Sequence, residues 1–220
     1  MRKIRKLSIV LIILGLLFLC AAVVLCSYNE WDSERAAEAA DEILRKLESS
    51  DIDDISILDD SGTNNISNIE DLDINNILTP TRSGDMFDVT IDGNEYIGIL
   101  EIPSLGLKLP VMNEWNYEKL QVSPCRYTGS YRTDDLVICA HNYYSHFGRL
   151  SNADIGEDVY FTDIHNMTIH YIISNRETII PTAVEEMIDG SKDWDLTLFT
   201  CYWDGRTRCT VRCVRVLEDE

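Results

Sequence analysis

The chain has 220 residues, with 19 basic and 38 acidic side chains and a formal charge of −19. That length accommodates one membrane anchor and one domain of about 130 residues. An acidic excess of this size repels phosphate and argues against nucleic acid as a partner.

Residues 1–6 carry Arg2, Lys3, Arg5 and Lys6 as a short basic tail. Residues 7–26 are apolar, with Ser8 the one polar side chain apart from the thiols of Cys20 and Cys26. About twenty such residues cross a bilayer as a helix. The basic cluster favours the cytoplasm, which puts the rest of the chain outside the cell membrane. A cleaved signal peptide is the rival reading. The apolar run is longer than the usual h-region of about 7–15 residues, and no Ala-x-Ala-like site follows it. A lipoprotein site at Cys26 meets bulky Leu25 where a small residue is expected. All 38 acidic residues follow the apolar stretch, against 15 of the bases, so the outer part carries −23.

Residues 27–48 read as a helical stalk: Ala36, Ala37, Ala39, Ala40, Ile43, Leu44 and Leu47 recur among charges, with Asp32 or Ser33 as the N-cap. Residues 49–86 shift to Asp, Asn, Ser and isolated Ile, with Arg82 the one base, which predicts a solvated acidic linker extended by self-repulsion. Asp51, Asp53 and Asp54 lack the spacing of an EF-hand loop, so calcium dependence is unsupported and no cofactor is expected.

The folded domain is expected over 87–220. Residues 89–91 and 97–102 have strand composition, with Pro103 and Pro110 at edges or turns. A short helix is expected over 114–120, then loop or strand edge over 125–133. Residues 136–140 form a short apolar run that predicts a central strand. Residues 159–163 and 168–174 pair as a hairpin across His165-Asn166, and 178–180 continue the second strand. Pro181, Glu185 and Glu186 suit a helix start, with Asp189-Gly190 at its end. Many short strands and few helices predict a mainly β domain, an all-β barrel.

The chain closes on Thr197-Leu198-Phe199-Thr200-Cys201, a strand ending on a thiol. Trp203-Asp204-Gly205 has turn chemistry, and Arg208 opens another strand-like run. Upstream, the apolar strand 136–140 leads into His141-Asn142. A cysteine and a histidine at the mouths of strands, with an arginine close behind, can supply nucleophile, general acid/base and electrostatic stabiliser.

These residues resemble the sortases, cysteine transpeptidases of Gram-positive cell surfaces. Cys201 matches the family's nucleophile, His141 its histidine, Thr200 the threonine before the nucleophile and Arg208 the arginine that begins the last core strand. The run from Tyr96 to Val111 resembles the opening strands, so the likeness covers 96–216. It implies an eight-stranded β-barrel with short helices. It also implies cleavage of a Leu-Pro-x-Thr-Gly-like sorting signal through a thioester, with transfer to a peptidoglycan precursor or cross-bridge amine. Thr200 is then a substrate contact. With one N-terminal anchor and no Asp-Pro-aromatic lid motif, the pattern is closer to the wall-anchoring branches, of class B or D type. Arg212, on the same strand face as Arg208, is the alternative arginine.

No residue clearly orients His141, because Asn142, adjacent on a strand, points the opposite way. Cys125, Cys139, Cys209 and Cys213 lie outside the membrane with Cys201, where an oxidising exterior permits disulfides, and an odd total of five leaves at least one thiol free. Cys209 and Cys213 are expected as core thiols. His146, His165 and His170 are expected on loops or strand surfaces, and no metal-ligand spacing joins them to the cysteines. The rival from another class is a membrane-tethered acidic β-domain for adhesion or ligand binding, with Cys201 structural. Among other cell-wall enzymes, L,D-transpeptidases need a Ser-x-Gly-Cys context absent here, and NlpC/P60 peptidases place Cys before His.

Overall fold

The computed structural model describes residues 2–49, 86–188, 193–202 and 204–217. Most of the 49–86 linker, the three aspartates within it, Asp189-Gly190 and Trp203 lie outside the described residues. Helix α1 runs Arg2–Ser49. Its apolar portion is long enough to cross a bilayer, and Leu11 to Leu25 bury nothing against the protein.

Nine strands follow among the described residues: β1 Val89–Ile91, β2 Asn94–Ile102, β3 Leu107–Met112, β4 Cys125–Thr128, β5 Leu136–Cys139, β6 Asp158–Asp163, β7 Thr168–Ile179, β8 Leu196–Cys201 and β9 Arg208–Arg215. Their order is β1-β2-β3-β4-β5-β8-β9-β7-β6, and β6 pairs back onto β2. Eight strands therefore close a barrel, and β1 is a short addition to the start of β2. Closure depends on Gly98. At φ 153° it sits at the irregularity in the β2–β3 ladder, and a Cβ there would lie 2.2 Å from the Thr162 carbonyl oxygen of β6. Only a residue without a side chain lets β2 serve both neighbours.

Apolar alternation fills the interior. Leu100, Ile102, Val111, Leu136, Ile138, Phe161, Leu198 and Val211 are buried. Pro110 is tolerated inside β3 because β3 meets β4 only at Met112, leaving that flank nearly unpaired. Residues 125–128, read as loop or edge, are an interior strand of the barrel. Burial falls from Cys125 to Thr128 without alternating, and a four-residue strand carries too short a pattern to reveal itself. The expected runs 168–174 and 178–180 are one long strand, Thr168–Ile179, bent at Ser174, where the ladder to β9 shifts register. Helix α2 is Tyr117–Leu120, N-capped by Asn116, and α3 is Val184–Ile188.

The second half of α1 lies along the barrel. Ala36, Ala40, Ile43 and Leu44 are buried, spaced to face one side of the helix, with Ala40 in the cluster that holds Leu107 and Leu109 of β3. Lys108 Nζ lies 2.6 Å from Glu48, and Lys46 Nζ lies 2.6 Å from Asp92. Both ion pairs are exposed and add little stability. The apolar stripe carries this contact.

His146 is fully buried, which corrects its placement on a loop surface. The loop carrying it folds inward because Gly148 packs on it: a Cβ on Gly148 would lie 2.6 Å from the carbonyl oxygens of Asn142 and Tyr143. Burial, with help from the nearby His141, lowers the pKa of His146 from 6.5 to about 4. A histidine depressed in the folded state stabilises fully above its unfolded pKa, and that stability drains as pH falls from about 6.5 toward 4. At about 1.4 kcal/mol per unit the loss approaches about 3 kcal/mol. Urea unfolding at pH 7 and pH 4.5 is expected to show this loss in the wild type, and His146→Phe to remove most of the difference. Equal pH slopes for both proteins would count against a neutral buried imidazole.

Candidate active site

The site forms where two parallel strands end side by side. β5 and β8 pair in register, Cys139 opposite Phe199. Parallel strands put their C-terminal ends at the same rim, so Ala140-His141 and Thr200-Cys201 leave the barrel together. The amide of Ala140 donates to the Phe199 carbonyl (3.2 Å), and the Thr200 hydroxyl donates to the Ala140 carbonyl (2.9 Å). Thr200 thus ties the histidine strand to the cysteine strand.

β9 brings the arginine. Cys201 and Arg208 are directly opposite in the antiparallel β8–β9 ladder. Such cross-strand partners share a sheet face with Cβ atoms about 5 Å apart. The turn between them is closed by Gly205 N–H to the Tyr202 carbonyl (2.8 Å), Tyr202 N–H to the Thr207 carbonyl (3.0 Å) and Arg206 N–H to Asp204 Oδ1 (3.0 Å). Arg208 donates to the carbonyls of Gly205 and Thr207 at 3.2 and 3.3 Å, which steadies the guanidinium beside the turn.

The Cys201 thiol is exposed, whereas Cys125, Cys139, Cys209 and Cys213 are buried and none of them is disulfide-bonded. Burial raises the thiol pKa of each of these four, that of Cys125 to about 12, which keeps them protonated and inert. Accessibility alone singles out Cys201.

Cys201, Thr200 and Arg208 line a groove of about 170 Å³. One wall is aromatic: Trp115 stacks on Tyr127 at 5.5 Å, and Tyr127 meets the edge of Phe199 at 5.3 Å. The opposite wall is Pro181, Ala183, Val184 and Met187, around α3. A mostly apolar cleft with a thiol and a guanidinium in its lining suits an extended peptide with apolar side chains.

His141 adjoins the groove through Ala140 but is not part of its lining. Its ring lies face to face with Tyr143, centroids 4.2 Å apart and planes 3° apart. Asn142 contacts its Nδ1 twice, through the backbone N–H (3.0 Å) and through Oδ1 (3.0 Å). These two partners serve different protonation states. The N–H suits a bare Nδ1, and Oδ1 suits a protonated one. Asn142 therefore orients His141, against the expectation from strand alternation. β5 stops at Cys139, so residues 141 and 142 are past the strand and the alternation no longer holds. Among the described residues Nε2 makes no hydrogen bond.

Arg212 is removed from the candidates. It is 1 % exposed and bonded to Glu177 Oε1 (2.7 Å), Thr197 Oγ1 (2.8 Å), the Met187 carbonyl (2.9 Å) and the Glu186 carbonyl (2.5 Å). With Trp194 4.4 Å across its face, it is buried out of a substrate's reach. Its place is behind the groove, clamping the end of α3.

The family model for the sortase domain matches residues 100–216. The chain belongs to the sortase family. Among solved structures it is similar to sortase C1 of Streptococcus agalactiae in complex with MTSET, at 26% identity and a TM-score of 0.50 over 57% of this chain and 71% of that one. Sortase A of Corynebacterium diphtheriae shares the fold at 21% identity and a TM-score of 0.50, over 57% of this chain and 63% of its own. SortaseC1 of Streptococcus suis matches at 28% identity and a TM-score of 0.49, over 56% and 74%. No protein with a curated description matches by sequence. These likenesses span sortases of different subclasses and leave this one's subclass undetermined. The eight-stranded barrel expected from the resemblance is the fold observed. Sortases are cysteine transpeptidases, and an exposed thiol lining a mostly apolar groove accords with that chemistry.

Proposed function

We propose that this sortase is anchored by residues 7–26, faces the cell wall, and joins proteins bearing a Leu-Pro-x-Thr-Gly-like signal to a wall amine. The observation that carries the reading is the Cys201–Arg208 cross-strand pair at the groove mouth, with His141 at the end of the adjoining parallel strand. In this reading residues 27–48 form the stalk, 49–86 an acidic linker and 87–220 the catalytic domain.

The Cys201 thiolate attacks the carbonyl carbon of the scissile Thr–Gly bond, and the carbonyl oxygen becomes an oxyanion beside Arg208. The C–N bond breaks, and protonated His141 gives its proton to the departing amine. A thioester remains on Cys201. An incoming wall amine, a peptidoglycan precursor or cross-bridge, loses a proton to His141 as it attacks. The new amide forms and the thiolate is released. Thr200 supports the substrate from the groove floor while keeping its hydroxyl bond to Ala140.

The test uses the full-length chain in detergent micelles with a panel of Leu-Pro-x-Thr-Gly-like peptides and an oligoglycine acceptor. Cleavage between Thr and Gly, with the acyl part recovered on the acceptor, is expected. Turnover of no peptide in the panel would favour the tethered binding domain. Arg208→Ala is expected to lower kcat by about 10²- to 10³-fold with KM little changed, the usual size for a lost oxyanion donor. Arg208→Lys is expected to recover only part, since an ammonium cannot present the same fork of donors. A loss confined to KM would reassign Arg208 to ground-state binding.

A further inference from the structure

Helix α1 reaches the candidate active site through one side chain. Asp32 accepts a hydrogen bond from the Tyr143 hydroxyl, and its other oxygen accepts from Arg35 at 3.1 Å. Tyr143 is 5 % exposed and carries the ring stacked on His141. One residue on, three contacts join Ser33 and Ser145, among them the Ser145 amide donating to Ser33 Oγ at 3.3 Å. The Ser145 hydroxyl donates to the Ser33 carbonyl at 2.8 Å, and the two hydroxyl oxygens lie 3.1 Å apart. The loop that follows β5 is thus pinned at 143 and 145 to a helix more than a hundred residues earlier in the chain.

His141, Asn142 and Tyr143 are past the end of β5 and have no strand ladder. What fixes them is the Phe147 amide on the His141 carbonyl (3.2 Å), the His146 and Gly148 amides on the Tyr143 carbonyl (3.0 and 2.8 Å) and the contacts to α1. The amide hydrogen bonds hold backbone. The plane of the imidazole is set by the Tyr143 face, and the Tyr143 ring is held at its far end by Asp32. A tyrosine that swung away would leave the imidazole free to rotate about its side-chain bonds, with only Asn142 to restrain it.

We propose that Asp32 and Tyr143 are positioning residues: Asp32, on the membrane-proximal helix, anchors the Tyr143 hydroxyl so that the Tyr143 ring holds the His141 imidazole in its working orientation. The inference rests on the reading of His141 as the general acid/base. It makes α1 part of the catalytic apparatus as well as a tether. The helix, the tyrosine and the histidine form one rigid stack, so the membrane-side segment supports the proton-transfer step without touching substrate.

The test compares Asp32→Ala, Tyr143→Phe, Tyr143→Ala and His141→Ala in the full-length chain in micelles, with an oligoglycine acceptor and a cleavable sorting peptide. Tyr143→Ala is expected to lower kcat about 30-fold, and Asp32→Ala and Tyr143→Phe about five- to tenfold, with KM within twofold in all three. The Tyr143 ring also shifts the His141 ring protons upfield. In spectra of histidine-labelled protein that shift should vanish in Tyr143→Ala and shrink in Asp32→Ala and Tyr143→Phe. Tyr143→Phe keeps the buried ring, so it remains informative where Tyr143→Ala folds poorly. The proposal is overturned if Asp32→Ala and Tyr143→Phe keep kcat within twofold and leave the His141 signals in place while His141→Ala is inactive. If His141→Ala itself transfers at the wild-type rate, the fault lies with the reading of the site.

Discussion

Cys201→Ala is expected to abolish thioester formation and transfer while leaving the barrel as stable as the wild type. The sulfur is the one exposed thiol of the folded domain, at the end of β8, and among the described residues no hydrogen bond to it is seen. Removing it should move Tm by no more than about 1 °C, as for other surface changes. The chemical loss should be at least about 10⁴-fold, because Cys139, the other thiol in the groove lining, is buried and held protonated. Cys201→Ser should be nearly as inactive, since a hydroxyl needs a stronger base than one imidazole supported by an amide. The buried thiols give the opposite pattern. Cys139→Ala or Cys213→Ala should lower Tm through lost packing and still yield a thioester. Activity persisting in Cys201→Ala would overturn the mechanism at its first step.

Arg212→Met is expected to destabilise the fold by about 4 kcal/mol. The guanidinium is buried and joins four partners on three elements: Glu177 of β7, Thr197 of β8, and the last carbonyls of α3. Methionine fills similar volume but leaves those acceptors without a donor, and stranding buried partners of a charge costs about 3–5 kcal/mol. For a domain of this size that lowers Tm by roughly 10 °C. Glu177 is partly exposed and can be rehydrated, so Glu177→Gln should cost about 1 kcal/mol or less. Freed from the clamp, α3 would no longer hold Val184 and Met187 against the groove, and KM for the peptide should rise. Chemical denaturation and peptide titration on the same samples separate the two effects. An Arg212→Met protein within about 1 kcal/mol of wild type would mean that the clamp contributes little.

The strands that carry chemistry were legible because their signals are local. An apolar run ending on His141, and another ending on Cys201 before an Asp-Gly turn, state both the strands and the places where they stop. The positions of Thr200 and Arg208 follow from the same few residues. β4 was not legible: four residues hold too few alternations, and only its two neighbours in the barrel identify it as a strand. The packing of α1 was half-written. Ala36, Ala40, Ile43 and Leu44 form a stripe at helical spacing, but a stripe does not name the surface it covers, here β3. The surroundings of His141 were not written in the local pattern. Asn142 turns back onto the ring because the strand has ended, and Tyr143 meets Asp32 across 111 positions of sequence. The inward fold of His146 depends on a glycine two residues later whose closeness to two carbonyls is visible only in three dimensions.

The most direct measurement is the mass of the full-length protein mixed with a Leu-Pro-x-Thr-Gly-like peptide and no amine acceptor, quenched in acid. The account predicts a species heavier by the acyl half of the peptide, mapped to Cys201 after digestion and removed by neutral hydroxylamine. An adduct on another residue, or the same adduct in Cys201→Ala, would contradict it.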